Sequence, residues 1–186
     1  MKLLLVYGTT EGQTHKVARF VAGHLAHRGH QTRIVSAIEA TAAANPREFD
    51  AVVIAASVHT GRYQSAIIHF VRKHLAAINA QPNAFLSISL SAASNDENDA
   101  RGLDRCVADF TQRTGWIPQH THHVAGAFRY RSYGLLKRWA MRYIARRKGV
   151  STDTSRDHEL TDWPELARFA DLLAGEAERA PRNRPG

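Results

Sequence analysis

Short apolar runs alternate with segments of helical periodicity along most of this 186-residue chain. The apolar runs predict β-strands over residues 2–7, 32–36, 51–57, 84–90 and 122–127. The amphipathic segments predict helices over residues 13–27, 66–78, 98–114, 135–147 and 163–173. Strands that alternate with crossover helices form parallel sheets, so we predict an α/β fold. Its doubly wound sheet has five parallel strands in the order 2-1-3-4-5, with helices on both faces.

The junction between the first strand and the first helix is the most informative stretch, LVYGTTEGQT over residues 5–14. The first N–H groups of a helix have no partner within it and carry partial positive charge, so they can bind a phosphate without a lysine. Gly12 permits a close approach of the backbone, and the hydroxyls of Thr9, Thr10 and Thr14 can donate hydrogen bonds. The stretch lacks the glycine and lysine patterns of triphosphate and dinucleotide sites, which favours a mononucleotide.

A capping box is the simpler interpretation of the same residues. Thr10 and Gln13 have the spacing at which two side chains satisfy the start of a helix without any ligand. A capping box explains neither Gly12 nor the apolar strand that precedes the turn. We therefore favour the phosphate site.

Two further loops are expected at the same edge of the sheet, because they follow the third and fourth predicted strands. The second loop contains Ser57, Val58, His59, Thr60, Gly61 and Tyr63, and the third contains Ser89 and Ser91. Gly61 permits a tight turn, and either His59 or Tyr63 offers a flat face for stacking. Small polar residues can bond a ligand edge, although both loops also resemble ordinary surface loops.

The net charge of +8 comes entirely from residues 129–148, which hold eight basic residues and no acidic one. The predicted helix over 135–147 has Trp139 on an apolar face and Arg138, Arg142 and Arg146 on another. Such a helix can bind an anionic membrane surface or anionic substrate, cover the core, or contact nucleic acid. We favour membrane or substrate contact and expect no nucleic-acid partner. The residues proposed for it are Arg129, Arg131, Arg138, Trp139, Arg142 and Arg146.

Length and composition suit one domain, which we place at residues 1–175, with a polar, disordered tail over 176–186. Cys106 is the only cysteine, which excludes an internal disulfide or a Cys-x-x-Cys pair. No segment has the length of a signal peptide's apolar core or of a membrane span, so we expect a cytoplasmic chain. No cysteine or carboxylate lies close in sequence to His120, His122 and His123 to complete a metal site, so we expect no metal.

Over residues 1–175 the chain resembles the quinone-dependent protoporphyrinogen IX dehydrogenase family of flavodoxin-like proteins. Four motifs carry the resemblance: Glu11-Gly12-Gln13-Thr14; Ala56-Ser57-Val58 with Gly61-x-Tyr63-x-Ser65-Ala66; Ala125-Gly126-Ala127-x-Arg129-Tyr130; and Thr161-Asp162-Trp163. The last two are the most specific. Residues 129–148 correspond to the insertion that distinguishes this family. One departure is His59-Thr60, where the family pattern has Arg-Tyr.

The resemblance implies FMN as the cofactor, with Thr9, Thr10, Glu11, Gly12, Gln13 and Thr14 around its phosphate and the second and third loops around its ring. It implies oxidation of protoporphyrinogen IX to protoporphyrin IX, with electrons passed to a membrane quinone. The protein would then be peripheral on the cytoplasmic face of the inner membrane. His59 is our one suggestion for a general base. An electron carrier and another FMN-dependent quinone reductase are the alternatives, and the oligomeric state stays open.

Overall fold

The computed structural model describes residues 1–10, 12–94, 96–128 and 158–180. Five strands form one parallel sheet: β1 (Lys2–Gly8), β2 (Gln31–Ser36), β3 (Ala51–Ser57), β4 (Asn83–Ser89) and β5 (His120–Ala125). Their order is β2-β1-β3-β4-β5, as the sequence predicts. The central strands are apolar on both faces because helices cover both sides of a parallel sheet.

The described helices are α1 (Gln13–His27), α2 (Ala37–Ala43), α3 (Ser65–Asn79), α4 (Glu97–Thr114) and α5 (Trp163–Arg179). Helices α1 and α5 cover one face of the sheet, where Val17 and Leu166 pack with the strand residues Leu5 and Val53. Helices α2, α3 and α4 cover the other face, where the core includes Leu4 and Ile54. This division follows from the alternation of side chains along each strand.

Besides two 3-10 turns at Pro46–Glu48 and Ser91–Ala93, three short elements of the described residues were not predicted. Helix α2 is capped by Ser36, whose hydroxyl oxygen accepts a hydrogen bond from the Glu39 N–H at 3.3 Å. After β5 the chain forms β6 (Ala127–Phe128), which pairs antiparallel with β7 (His158–Glu159). The pairing of β6 with β7 brings residues on both sides of the undescribed segment 129–157 together, next to the end of β5.

Two of the predicted elements that the structure describes have bounds that are wrong by more than one residue. Strand β5 covers residues 120–125 and not 122–127, because it is an edge strand whose polar residues are tolerated beside solvent. Helix α5 continues to Arg179 and not to Leu173, so residues 176–179 are helical where composition predicted disorder. The contacts of this extra turn explain the difference: Ala177 is buried, and the Glu176 carboxylate pairs with His120 at 2.7 Å. The predicted helix over 135–147 and the tail from residue 181 lie outside the described residues.

Candidate functional site

The loop between β1 and α1 has the backbone geometry of an anion site. Gly12 is the N-cap of α1 and has φ +85°, a left-handed conformation that favours glycine. Its N–H donates to the Thr9 hydroxyl oxygen at 2.8 Å, which closes the turn. Because glycine has no side chain, it leaves the next N–H groups without the acceptor that a serine or aspartate cap would supply. Successive N–H groups at such a turn form a concavity suited to an oxyanion.

The Thr14 hydroxyl gives this loop an unsatisfied donor. Thr14 is fully buried, and its Oγ1 has no hydrogen-bond partner among the described residues. A buried polar group without a partner costs about 1–3 kcal/mol, so such groups are rare in folded proteins. A phosphate oxygen held by the first N–H groups of α1 would accept this hydrogen bond. The loop therefore fits the phosphate that the sequence predicts there.

The capping box does not form. The N-cap is Gly12 and not Thr10, and the Thr10 hydroxyl oxygen accepts from Gln64 at 3.2 Å. The Gln13 amide donates instead to Glu159 at 2.8 Å and to Thr161 at 3.1 Å. The side chains of Thr10 and Gln13 thus contact distant segments of the chain and not the start of α1. The capping-box interpretation, which needed no ligand, is therefore wrong.

Close packing fixes the end of β1 against the start of α3. A Cβ atom on Gly8 would stand 2.6 Å from Cγ1 of Ile67, so only glycine fits there. Gln64, the N-cap of α3, donates through Nε2 to the Ser57 hydroxyl at 2.8 Å as well as to Thr10. Gln64 thereby joins the first loop to the second. Sequence reasoning missed it, although its position just before a predicted helix could have singled it out.

The second loop is a tight two-residue turn. His59 and Arg62 exchange backbone hydrogen bonds of 2.8 and 3.1 Å, with Thr60 at φ +48° and Gly61 at φ +77° between them. Positive φ at both central residues is the signature of a type I′ turn. Gly61 has the role that the sequence predicts. Thr60 is a branched residue in a left-handed conformation, which is strained.

Replacing Thr60 with asparagine should relieve that strain, because asparagine tolerates the left-handed region and a branched Cβ does not. We expect the free energy of unfolding to rise by about 1 kcal/mol, measured by urea denaturation. Thr60→Val keeps the branched Cβ and is the matched control, for which we expect no gain. Equal stability of Thr60→Asn and the parent would show that the turn carries no strain.

Tyr63 does not offer a face for stacking, and its assignment to the ligand is corrected. The ring is only 6% exposed and packs edge-on against Phe85 and Phe110, with ring centroids 5.0 and 5.2 Å away. Its hydroxyl is 2.8 Å from the Ser87 hydroxyl, and burial raises the pKa of Tyr63 to about 12. The type I′ turn reverses the chain and directs this ring into the core. His59, Thr60 and Gly61 remain exposed, while Val58 packs partly against the core.

The two serines of the third loop have partners within the protein. The buried Ser89 hydroxyl oxygen accepts from the N–H of Ala92, a residue of the 3-10 turn at Ser91–Ala93, at 3.1 Å. The Ser91 hydroxyl donates to the Asp99 carboxylate at 3.2 Å. Both side chains thus hold the shape of the loop. Their contact with a flavin stays a prediction.

The three clustered histidines have separate partners. His120 pairs with Glu176, and His122 stacks on Phe169 with ring centroids 4.9 Å apart. His123 lies 3.9 Å from the Asp104 carboxylate. Burial lowers the pKa of both His122 and His123. Across the part of the chain that the structure describes, no three histidine, cysteine or acidic side chains are grouped to hold a metal ion.

Several predicted site residues lie outside the described ranges: Glu11, Arg129, Arg131, Arg138, Trp139, Arg142 and Arg146. The predicted phosphate contact of Glu11 and the membrane or substrate contacts of the other six therefore stay predictions. Among the described helices, none combines the length and the apolar character needed to cross a bilayer.

Comparison with known proteins identifies the class first. Residues 4–155 match the family model described as a flavodoxin domain, so the chain belongs to the flavodoxin-domain family. Oxidised flavodoxin 1 from Bacillus cereus has the same fold, with a TM-score of 0.56 and 12% identity over 94% of this chain and 98% of that one.

Curated relatives narrow the assignment. The chain is 34% identical over 174 residues to protoporphyrinogen IX dehydrogenase (quinone) of Escherichia coli K12, covering 94% of this chain and 95% of the relative. It is 30% identical over 173 residues to the protein of the same name from Leishmania major, covering 93% and 74%. The chain belongs to the family of these protoporphyrinogen IX dehydrogenases.

Proposed function

We propose that this protein oxidises protoporphyrinogen IX to protoporphyrin IX with FMN as its cofactor and passes the electrons to a membrane quinone. The observation that carries the proposal is the loop from β1 to α1. There the buried Thr14 hydroxyl, which has no partner within the described ranges, accompanies a left-handed Gly12 at the start of a helix. The 34% identity to a relative whose name states this activity supplies the substrate and the acceptor.

The residues of the first loop fit the 5′-phosphate of FMN. The N–H groups that follow Gly12 would bind phosphate oxygens, and the Thr14 hydroxyl would donate to one of them. Gln64 holds the first and second loops together beside this site. When bound, FMN would supply the two-electron redox chemistry, and the protein supplies its position and surroundings.

The exposed turn at Thr60 and Gly61 and the third loop would border the flavin ring. Both follow the carboxyl ends of neighbouring strands, where ligands bind in sheets of this topology. His59 is exposed on the same turn and is our suggestion for a proton acceptor. Removal of six hydrogens from the porphyrinogen would require three two-electron cycles at this site.

We assign membrane contact to residues 129–148. Their eight basic residues form the whole charge excess of the chain and suit an anionic bilayer surface, where quinones are found. Arginines of this segment could also pair with the two propionates of the substrate. The proposed location is the cytoplasmic face of the inner membrane.

The test follows porphyrin fluorescence under anaerobic conditions, with purified FMN-loaded protein, protoporphyrinogen IX and a soluble quinone analogue. We expect turnover that requires the quinone and is not increased by NAD(P)H, because the chain has no dinucleotide-binding pattern. Matched reactions without protein and without quinone give the background. FMN binding with no quinone-dependent rate above background would favour an electron carrier, and NAD(P)H-dependent quinone reduction would favour another quinone reductase.

A further inference from the structure

A carboxylate from the far end of the chain contacts the first turn of α1. Oε1 of Glu159 accepts from the Gln13 amide at 2.8 Å and from the Thr161 hydroxyl at 2.6 Å. Its other oxygen, Oε2, forms an ion pair with the Lys16 ammonium group. Glu159 thus contacts two residues of α1 from a strand 146 positions away in sequence.

The backbone around Glu159 is fixed to the main sheet. Glu159 pairs with Ala127 in the two-stranded ladder, and the next residue donates its N–H to the Gly126 carbonyl at 3.3 Å. The Thr161 hydroxyl also lies 2.7 Å from the Ala125 carbonyl at the end of β5. The carboxylate therefore stands on a segment that is tied to the sheet independently of α1.

The Gln13 side chain is largely removed from solvent. Gln13 and Thr161 are each 8% exposed, and the amide nitrogen of Gln13 donates to both Glu159 and Thr161. Gln13 lies between Gly12 and Thr14, so its side-chain contacts constrain the backbone that carries the phosphate-binding N–H groups. The hydrogen bond from Gln13 to the Glu159 carboxylate is partly buried and has a charged acceptor, so it restrains the turn of backbone on either side of Gln13.

The ammonium group of Lys16 balances the negative charge of the Glu159 carboxylate. Burial alone would raise the pKa of Glu159, but the hydrogen bonds from Lys16 and Thr161 outweigh it and lower the pKa, so this carboxylate is ionised at neutral pH. An unpaired carboxylate beside a phosphate site would repel the ligand. The ammonium group of Lys16 offsets that charge and also lies 5.1 Å from the ring centre of Trp163.

We propose that Glu159 is the positioning residue of the phosphate loop, which it holds through Gln13 in the shape that binds the 5′-phosphate of FMN. This inference rests on the FMN site proposed above and assigns to Glu159 no contact with the cofactor itself. It predicts that removal of the Glu159 carboxylate lowers the binding affinity only of ligands that carry the phosphate. Riboflavin, which has the same ring without the phosphate, is therefore the discriminating probe.

The experiment measures dissociation constants of FMN and riboflavin by fluorescence titration of flavin-free protein. For Glu159→Ala we expect FMN to bind about tenfold more weakly and riboflavin to bind as in the parent. Glu159→Gln keeps an oxygen that accepts from Gln13, and we expect its FMN affinity to stay within threefold. Asp171→Asn is the matched control, because Asp171 joins α5 to the far end of α1 through His24 at 2.8 Å and Arg28 at 2.7 Å; it should change neither affinity.

Two results would overturn the inference: FMN affinity of Glu159→Ala equal to that of the parent, or an equal fall in the FMN and riboflavin affinities. The second result would mean that Glu159 supports the whole fold and not the phosphate loop. Failure of the proposed function is seen separately, in the parent protein, as no preference for FMN over riboflavin. Thermal unfolding of each variant shows whether it is folded during the titration.

Discussion

Replacing Gly12 with valine is expected to weaken FMN binding at least a hundredfold, so that the purified protein loses its flavin absorbance. Gly12 has φ +85°, a conformation that costs a non-glycine residue about 1–2 kcal/mol and a branched one more. Valine would relieve that strain by moving to negative φ, which turns the following N–H groups away from their common direction. Several hydrogen bonds to one phosphate would then be lost together.

A matched control for this variant exists in the same helix–loop unit. Gly29 has φ +83° just beyond the other end of α1, and a Cβ there would meet nothing within 4 Å. Gly29→Val therefore carries a comparable backbone strain far from the first loop. We expect it to lower stability and to leave FMN affinity unchanged. If Gly12→Val binds FMN as tightly as Gly29→Val does, the phosphate assignment is wrong.

The fold could be predicted from sequence because burial on both faces leaves a simple pattern. The run at residues 51–56 is apolar throughout, and the observed β3, which ends at Ser57, has the predicted bounds. Helix α1 also begins and ends as predicted, since Gly12 and the stripe of Val17 and Val21 mark its start and its buried face. The seven-residue α2 has too few turns for a periodicity to be recognised. Its start depends on a single serine cap.

The candidate site was predictable where it depends on the backbone and not where it depends on side-chain contacts. The roles of Gly12 and Gly61 follow from conformations that glycine favours. The direction of Tyr63 follows from a turn type that no single residue specifies, so its burial was missed. The contact between Gln13 and Glu159 joins residues 146 positions apart, and no local pattern records such a pair.

Reversing the charge of Arg138, Arg142 and Arg146 by substitution with glutamate is expected to lower binding to anionic vesicles by at least a hundredfold. Each basic residue near an anionic surface contributes about 1 kcal/mol, so loss of three removes about 3 kcal/mol before any repulsion by the new carboxylates. FMN affinity should be unchanged, because the phosphate loop and the two other loops lie elsewhere in the sequence. Turnover with a membrane-embedded quinone should fall with vesicle binding.

The measurement is co-sedimentation with phosphatidylglycerol vesicles at low salt and again at about 0.1 M salt, where the Debye length is about 10 Å and binding of the parent should weaken. Neutral phosphatidylcholine vesicles show how much binding is independent of charge.

The matched control changes Arg101, Arg105 and Arg113 to glutamate, three exposed positions of α4, and gives the same net charge. If the basic segment is the membrane contact, this control should retain most of the vesicle binding. Equal losses in the two triple variants would show that net charge alone drives the association. If vesicle binding changes neither with salt nor on substitution of Arg138, Arg142 and Arg146, this segment has no electrostatic membrane role.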